Sequence, residues 1–239
     1  MKRYQHYSFL AFLLLTANQL MADEAHPLSF QATYKLFSGG LEIAQMERTM
    51  SKSAGDEYIY RSITQTIGLV AVFHKDLIEE ESRWKLVDGE VFPVNYSYNR
   101  SKGKKNRKVN IFFDWDNNVM INEIRNQRLN MPLESGVLDK LLYQYALMRD
   151  VKNNNFPITY NIADGGKMKT YHFERLGDET IQTPLGNFNT VKIQSNESKD
   201  DKKLVIWCAP ELKYLPIKVE HTEEDGRVTT AVIQTLTEI

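Results

Sequence analysis

Enzymatic chemistry needs nucleophiles, bases or metal ligands in workable groupings, and this chain has few of them. Past residue 22 it carries four histidines, His26, His74, His172 and His221, and a single cysteine, Cys208. In Tyr171-His172-Phe173, strand alternation turns the two rings inward and the imidazole outward, beside Thr170 and Glu174. His221 follows Leu215, Ile217 and Val219 on their face but abuts the charged turn Glu223-Glu224-Asp225, so it reads as a strand-end residue. No H-E-x-x-H, G-x-S-x-G or His-x-His is present, and metal-assisted hydrolysis and serine chemistry therefore lack their signatures. Cys208 sits between Trp207 and Ala209. An apolar setting raises a thiol pKa, which makes it a small buried hydrophobe rather than a nucleophile. One cysteine also excludes an intramolecular disulfide and a Cys-clustered metal site. Carboxylates cluster in Glu79-Glu80-Glu81 and around Asp114 and Asp116. The segment from Asp114 to Asn118 lacks the bend glycine and terminal glutamate of a calcium loop and reads as a hairpin turn. No catalytic residue, metal site or cofactor is expected.

Binding is the better-supplied alternative. Trp84, Tyr96, Phe113, Trp115, Tyr171 and Trp207 lie on expected strands, as do Tyr98, Tyr160, Phe173 and Tyr214. On a curved sheet such rings either line an apolar ligand cavity or fill the core. The uninterrupted apolar run from Gly68 to Phe73 is either a buried strand or an apolar loop gating that cavity. Six cations, Arg100, Lys102, Lys104, Lys105, Arg107 and Lys108, crowd one hairpin tip. They form a solvated turn or meet an anionic partner such as phosphate head groups, lipid A or peptidoglycan. Across the whole chain 30 basic residues balance 31 acidic ones, so no nucleic-acid partner is indicated.

The elements that must position these groups begin after an export signal. Lys2 and Arg3 precede the apolar run from Phe9 to Leu15, and Ala22 offers a cleavage point before Asp23. The run is too short to span a bilayer, and no cysteine follows it to take a lipid anchor. The expectation is a cleaved signal over residues 1–22, a periplasmic location and one β-rich domain over residues 23–239. Removing Lys2 and Arg3 takes the net charge from −1 to −3.

Within that domain the dominant period is two. Val109, Ile111 and Phe113 alternate with Asn110, Phe112 and Asp114, and Ile59 and Ile63 with Tyr58, Tyr60 and Ser62. This is the pattern of half-buried antiparallel strands. Turn residues separate the runs at Ser38-Gly39-Gly40, Asp88-Gly89, Asp164-Gly165-Gly166, Pro184-Leu185-Gly186 and Asp225-Gly226. About a dozen strands are expected. One segment differs: Leu138, Leu141, Leu142, Tyr145 and Met148 recur at helical steps, predicting an amphipathic helix from Val137 to Val151 with Ser135 as its N-cap. The fold class is thus mainly β, a strongly curved antiparallel sheet or half-barrel with that helix against its concave face.

Several of these stretches, taken in order, resemble a known family. They are Gly68 to Phe73, Tyr98 to Arg107 running into Phe113-Asp114-Trp115, Leu138 to Arg149, and Tyr160 to Gly165. Glu179 to Gly186 follows, and then Trp207-Cys208-Ala209-Pro210 with Tyr214-Leu215-Pro216-Ile217-Lys218-Val219-Glu220, the most specific piece. Together they resemble the exported proteobacterial proteins grouped as domain of unknown function 3108. The resemblance implies a fold related to periplasmic lipoprotein carriers of the LolA and LolB type, a half-barrel closed by helices over an apolar cavity. It implies no catalytic residue. The expected function is a non-enzymatic periplasmic binding protein that carries or senses a lipid or other amphiphile. The alternatives are an envelope assembly factor that binds a protein at a sheet edge, and an enzyme.

Overall fold

The structure, a computed structural model, describes residues 27–53, 55–73, 75–103, 106–197 and 203–238, the side chains of residues 196 and 197 excepted. The signal segment, His26, His74, Lys104 and Lys105 lie outside the described residues. The alternating runs become strands β1 (Phe30–Ser38), β2 (Leu41–Lys52) and β3 (Glu57–Thr66), then a six-residue helix, α1 (Gly68–Phe73). Strands β4 (Leu77–Val87), β5 (Glu90–Ser101), β6 (Arg107–Asp114), β7 (Val119–Ile124) and β8 (Gln127–Pro132) follow. Next come β9 (Val137–Asp139), α2 (Tyr143–Lys152), β10 (Ile158–Ala163), β11 (Met168–Thr183) and β12 (Gly186–Glu197). Strand β13 (Lys203–Ala209), a 3-10 turn (Pro210–Leu212), β14 (Leu215–Thr222) and β15 (Val228–Glu238) end the described chain.

All fifteen strands among the described residues belong to one sheet, in the order β8-β7-β6-β5-β4-β3-β2-β1-β15-β14-β13-β12-β11-β10-β9. Every pair is antiparallel except β9–β10, and β1 pairing with β15 joins the two halves. Local turn chemistry sets the hairpins. Between β4 and β5, Asp88 and Gly89 both have left-handed φ, 51° and 78°, the geometry whose twist matches the flanking strands. Bulges at Arg83/Trp84, Arg175/Gly177 and Trp207/Cys208 add curvature. The sheet curls until its β9–β10 flank meets the inner face of β4–β7. There the Ser82 hydroxyl donates to Asp139 Oδ2, and the Gly166 amide donates to Asn122 Oδ1 at 3.1 Å. Closure is therefore by side chains across a seam rather than by a hydrogen-bonded ladder between β8 and β9.

Helix α2 fills the space inside this curl. Six of its ten residues, Tyr143, Tyr145, Ala146, Leu147, Met148 and Val151, are buried. Tyr145 lies 4.7 Å from the Trp84 ring on one side of the sheet, and Tyr143 stacks on Phe173 at 6.0 Å on the other. One short helix thus ties both flanks together.

Two local expectations need correction. Residues Val137 to Asp139 are strand, not helix: they run parallel to Asn161–Ala163, and the Asp139 carboxylate accepts the amides of Leu141 and Leu142 at 2.9 and 2.7 Å. That carboxylate holds the turn leading into the helix, which starts only at Tyr143 with Leu142, not Ser135, as its N-cap. The run from Gly68 to Phe73 is neither a buried strand nor a plain loop. Gly68, at φ +61°, breaks away from β3, and the residues after it coil into α1 with none of them buried. On β3 the expected alternation holds, with Tyr58, Tyr60 and Ser62 inward and Ile59 and Ile63 half-buried on the other face. Tyrosine rings reach further than isoleucine across a wide curl and so take the inner positions.

Candidate functional site

Asp114, His172, Cys208 and His221 lie on four different strands, β6, β11, β13 and β14. His172 is exposed, with Nδ1 3.0 Å from Thr159 Oγ1, and His221 Nδ1 lies 3.2 Å from Glu223 Oε1 at the end of β14. Asp114 closes the β6–β7 turn by accepting the Asn117 amide at 3.0 Å. Among the described residues, no three His, Cys, Asp or Glu side chains are grouped to hold a metal ion. Cys208 is fully buried, and burial pushes its thiol up to about 12. The native protein is expected to resist a thiol reagent at mildly alkaline pH and to react stoichiometrically once denatured. Fast labelling of the native state would contradict this burial.

The six aromatic residues expected to line a cavity are placed in five different settings. Trp84 is sandwiched between Tyr58 and Tyr145, at 4.8 and 4.7 Å. Tyr96 is buried and donates to Glu80 Oε1 at 2.6 Å, and burial, followed by the Glu80 charge, holds its phenol well above the usual range. Phe113 and Trp115 stack at 6.5 Å, with Trp115 in the β6–β7 turn rather than on a strand, its indole donating to the Pro93 carbonyl at 2.8 Å. With Phe92, Val94, Phe112 and Ile121 they border an open depression of about 850 Å³. Tyr171 meets Tyr143 edge-on at 5.5 Å and borders a pocket of about 160 Å³ with Lys140, Ser195 and His221. Trp207 is roofed by the ammonium groups of Lys192 and Lys218, 4.9 and 4.3 Å from its ring, and donates to Glu179 Oε2 at 3.0 Å.

A further pocket, of about 290 Å³, lies at the end of the curl where α2 finishes. Its apolar wall is Pro27, Leu28, Tyr145, Met148, Pro210 and Tyr214, and Arg149, Lys152 and Lys213 stand around it. Three distant pieces of chain build this site, among them the turn after β13. In that turn Lys213 and Tyr214 both adopt left-handed φ, 54° and 62°, and the Tyr214 amide donates to the Ala209 carbonyl at 2.8 Å. Consecutive non-glycine residues in this region cost about 1–3 kcal/mol each, and such strain concentrates at functional positions. Tyr214 is thus in a turn, not on the strand expected for it, and the turn brings it and Lys213 to the pocket wall. The Arg149 guanidinium is held by the Gly89 carbonyl, and Lys213 Nζ lies 3.8 Å from Glu238.

The basic hairpin joins β5 to β6. Arg100 is not free at the tip: Asp76 holds it through two hydrogen bonds of 3.1 and 2.7 Å. The Arg107 guanidinium lies over the Tyr98 ring at 5.8 Å. Lys102 and Lys108 are exposed. Two cations outside the basic run, Arg125 and Arg128 of the neighbouring β7–β8 hairpin, join Arg100, Arg107 and Lys108 around a groove of about 640 Å³. They are more than fifteen residues away along the chain, and only the pairing of β6 with β7 brings them alongside.

Against known proteins, the profile of the family described as "Protein of unknown function (DUF3108)" matches residues 29–232. The chain belongs to this family. No curated protein matches it. Among solved structures, this DUF3108 chain is similar to a beta-barrel-like protein of domain of unknown function DUF1849 from Brucella abortus. That likeness has a TM-score of 0.60 at 8% identity, covering 90% of this chain and 99% of the other. It shows a shared barrel-like fold. Looser similarity extends to a proposed lipoprotein from Parabacteroides distasonis, with TM-score 0.35, 11% identity, and 88% and 95% coverage. It extends also to a proposed exported protein with a YmcC-like fold from Bacteroides fragilis, with TM-score 0.34, 9% identity, and 88% and 96% coverage.

Proposed function

We propose that this protein is a non-enzymatic, extracytoplasmic binding protein for an anionic amphiphile. One observation carries the reading: the pocket at the end of α2 has an apolar wall and three cations around it. An acyl chain against Tyr145, Met148 and Tyr214 would leave an acidic head beside Lys152 and Lys213. Its volume is at the lower end of the range for small-molecule sites and suits a single chain. The export signal read in residues 1–22 supports a place outside the cytoplasm. Titration with a fluorescent fatty acid tests the proposal. The parent should bind saturably, and the double variant Lys152→Glu, Lys213→Glu should bind about tenfold more weakly while its affinity for the matching fatty alcohol is unchanged. Failure of the parent to bind, or equal loss for acid and alcohol, would reject a cation-headed site.

A second reading, a scaffold that binds a protein partner, rests on β8. It pairs with β7 on one side only, and Leu129 is exposed on it. An extended partner segment could add to that edge. Crosslinks confined to 127–132 would favour it over the amphiphile.

A further inference from the structure

The amphiphile pocket lies at one end of the curl, and the opposite end has features it does not use. The chain leaves the sheet at Thr66 and re-enters at Asp76, and the two are locked together: the Thr66 amide donates to the Asp76 carbonyl at 3.1 Å, and the Asp76 amide to Thr66 Oγ1 at 3.0 Å. The segment from Gly68 to Phe73 stands out from the rim, none of it buried. Helix α1 is that projection, and its large side chains face solvent: Leu69 is 81% exposed, Val72 67% and Phe73 74%. Leu41, at the start of β2 on the same rim, is 68% exposed. Singly exposed apolar residues are ordinary, but four of them at one end of a molecule form a patch that asks for a partner.

What surrounds the patch identifies that partner. Asp76, at the foot of the projection, binds Arg100 at the start of the basic hairpin. It also lies so close to Gly103 that a Cβ there would collide with its carboxylate. The apolar helix and the β5–β6 tip are therefore fastened side by side. Strand register puts the β7–β8 turn on the same rim, since Arg107 pairs with Arg100 and Val109 with Ile124. Exposed Lys75, Lys102, Arg107, Lys108, Arg125 and Arg128 thus gather on one end beside Leu69, Val72 and Phe73. Of the described acids on this rim, Glu123 lines the basic groove, Asp76 is engaged by Arg100, Glu42 beside Leu41 by Lys35, and Asp164 by Lys169. A protein interface of this make-up would need an acidic partner with its own apolar socket. An anionic bilayer offers both terms at once, head-group charge for the cations and acyl chains within reach of a shallow apolar wedge.

We propose that this rim docks on an anionic lipid bilayer, α1 entering the interface through Leu69, Val72 and Phe73 while the two hairpins contact the phosphates. The proposal goes beyond the amphiphile reading and involves none of the pocket residues. Flotation with phosphatidylcholine vesicles, with and without phosphatidylglycerol, tests it on the parent and two surface variants. The parent should float only with phosphatidylglycerol vesicles, and high salt should release it. The triple variant Leu69→Ser, Val72→Ser, Phe73→Ser should bind at least about tenfold more weakly at low salt. The quadruple variant Lys102→Gln, Lys108→Gln, Arg125→Gln, Arg128→Gln should lose the dependence on phosphatidylglycerol. All substituted side chains are exposed, so unchanged thermal melting is expected and confirms intact folds. Phe73→Trp supplies an independent readout: its emission should be quenched by brominated acyl chains. Either variant binding as well as the parent, absence of quenching, or loss of self-association in place of vesicle binding would overturn the proposal. Fatty-acid titration in vesicle-free buffer should be the same for all three proteins, so failure here and failure of the pocket remain separable.

Discussion

Replacing Trp84 with alanine is expected to lower the unfolding free energy by about 3–5 kcal/mol, the range for deleting a large ring from a closed core. Trp84 is completely buried. It sits between Tyr58 of β3 and Tyr145 of α2, so its loss opens a void where the helix meets the sheet and removes two ring contacts at once. The site has little room to collapse, because the Arg83/Trp84 bulge fixes the local backbone and α2 is also held from the far side through Tyr143 and Phe173. Trp84→Phe should recover most of the loss. Its ring keeps the stacking partners, and the indole N–H it removes has no hydrogen-bond partner among the described residues. A buried unpaired donor costs about 1–3 kcal/mol, which offsets part of the lost area. Equilibrium urea unfolding of both variants, with slopes equal to the parent, measures this. An alanine cost below about 1 kcal/mol would mean that α2 is not packed on this ring.

The same contact explains what the sequence could and could not convey. Strand identity is a local property: Val109, Ile111 and Phe113 are buried as their alternation requires, and Asp88-Gly89 forms the hairpin its residue types favour. The curl, the barrel-like class and the presence of an inward helix follow from that pattern. The start of the helix does not. Leu138, Leu141 and Leu142 have helical spacing, yet Val137 to Asp139 satisfy their backbone against β10, a strand still to come in the chain. Long-range pairing overrides a periodic signal there. In α1 the override runs the other way, because an apolar run reads as buried until the structure leaves it at the rim. The pocket was the least legible feature. Leu28, Met148 and Tyr214 belong to three separate segments, and the left-handed backbone at Lys213 and Tyr214 carries no glycine to announce it.

The second large effect comes from the seam that closes the barrel. Asp139 has no solvent exposure, and burial pushes its carboxyl up to about 6. The Ser82 hydroxyl and the Leu141 and Leu142 amides face it and pull the other way, while the Glu80 charge adds slightly to the rise. A folded-state value above the unfolded value of about 3.9 means that the native state holds the proton more tightly. Asp139 therefore contributes stability that is fully present below about pH 4 and is lost as pH rises through about 6. The difference of about two units corresponds to about 3 kcal/mol. Asp139→Asn separates this from every other titration. The amide oxygen still accepts from Leu141 and Leu142, the amide nitrogen donates to Ser82, whose hydroxyl can accept, and nothing at the position ionises. Unfolding of parent and variant in urea should give a gap that shifts in the variant's favour by about 2 kcal/mol between pH ~4 and pH ~7.5. Asp139→Ala should be less stable than the asparagine variant at both, because it strands the two amides that lead into α2. A gap between parent and asparagine variant that does not move with pH would show that the carboxylate ionises in contact with water, and that the seam is open where the fold has it closed.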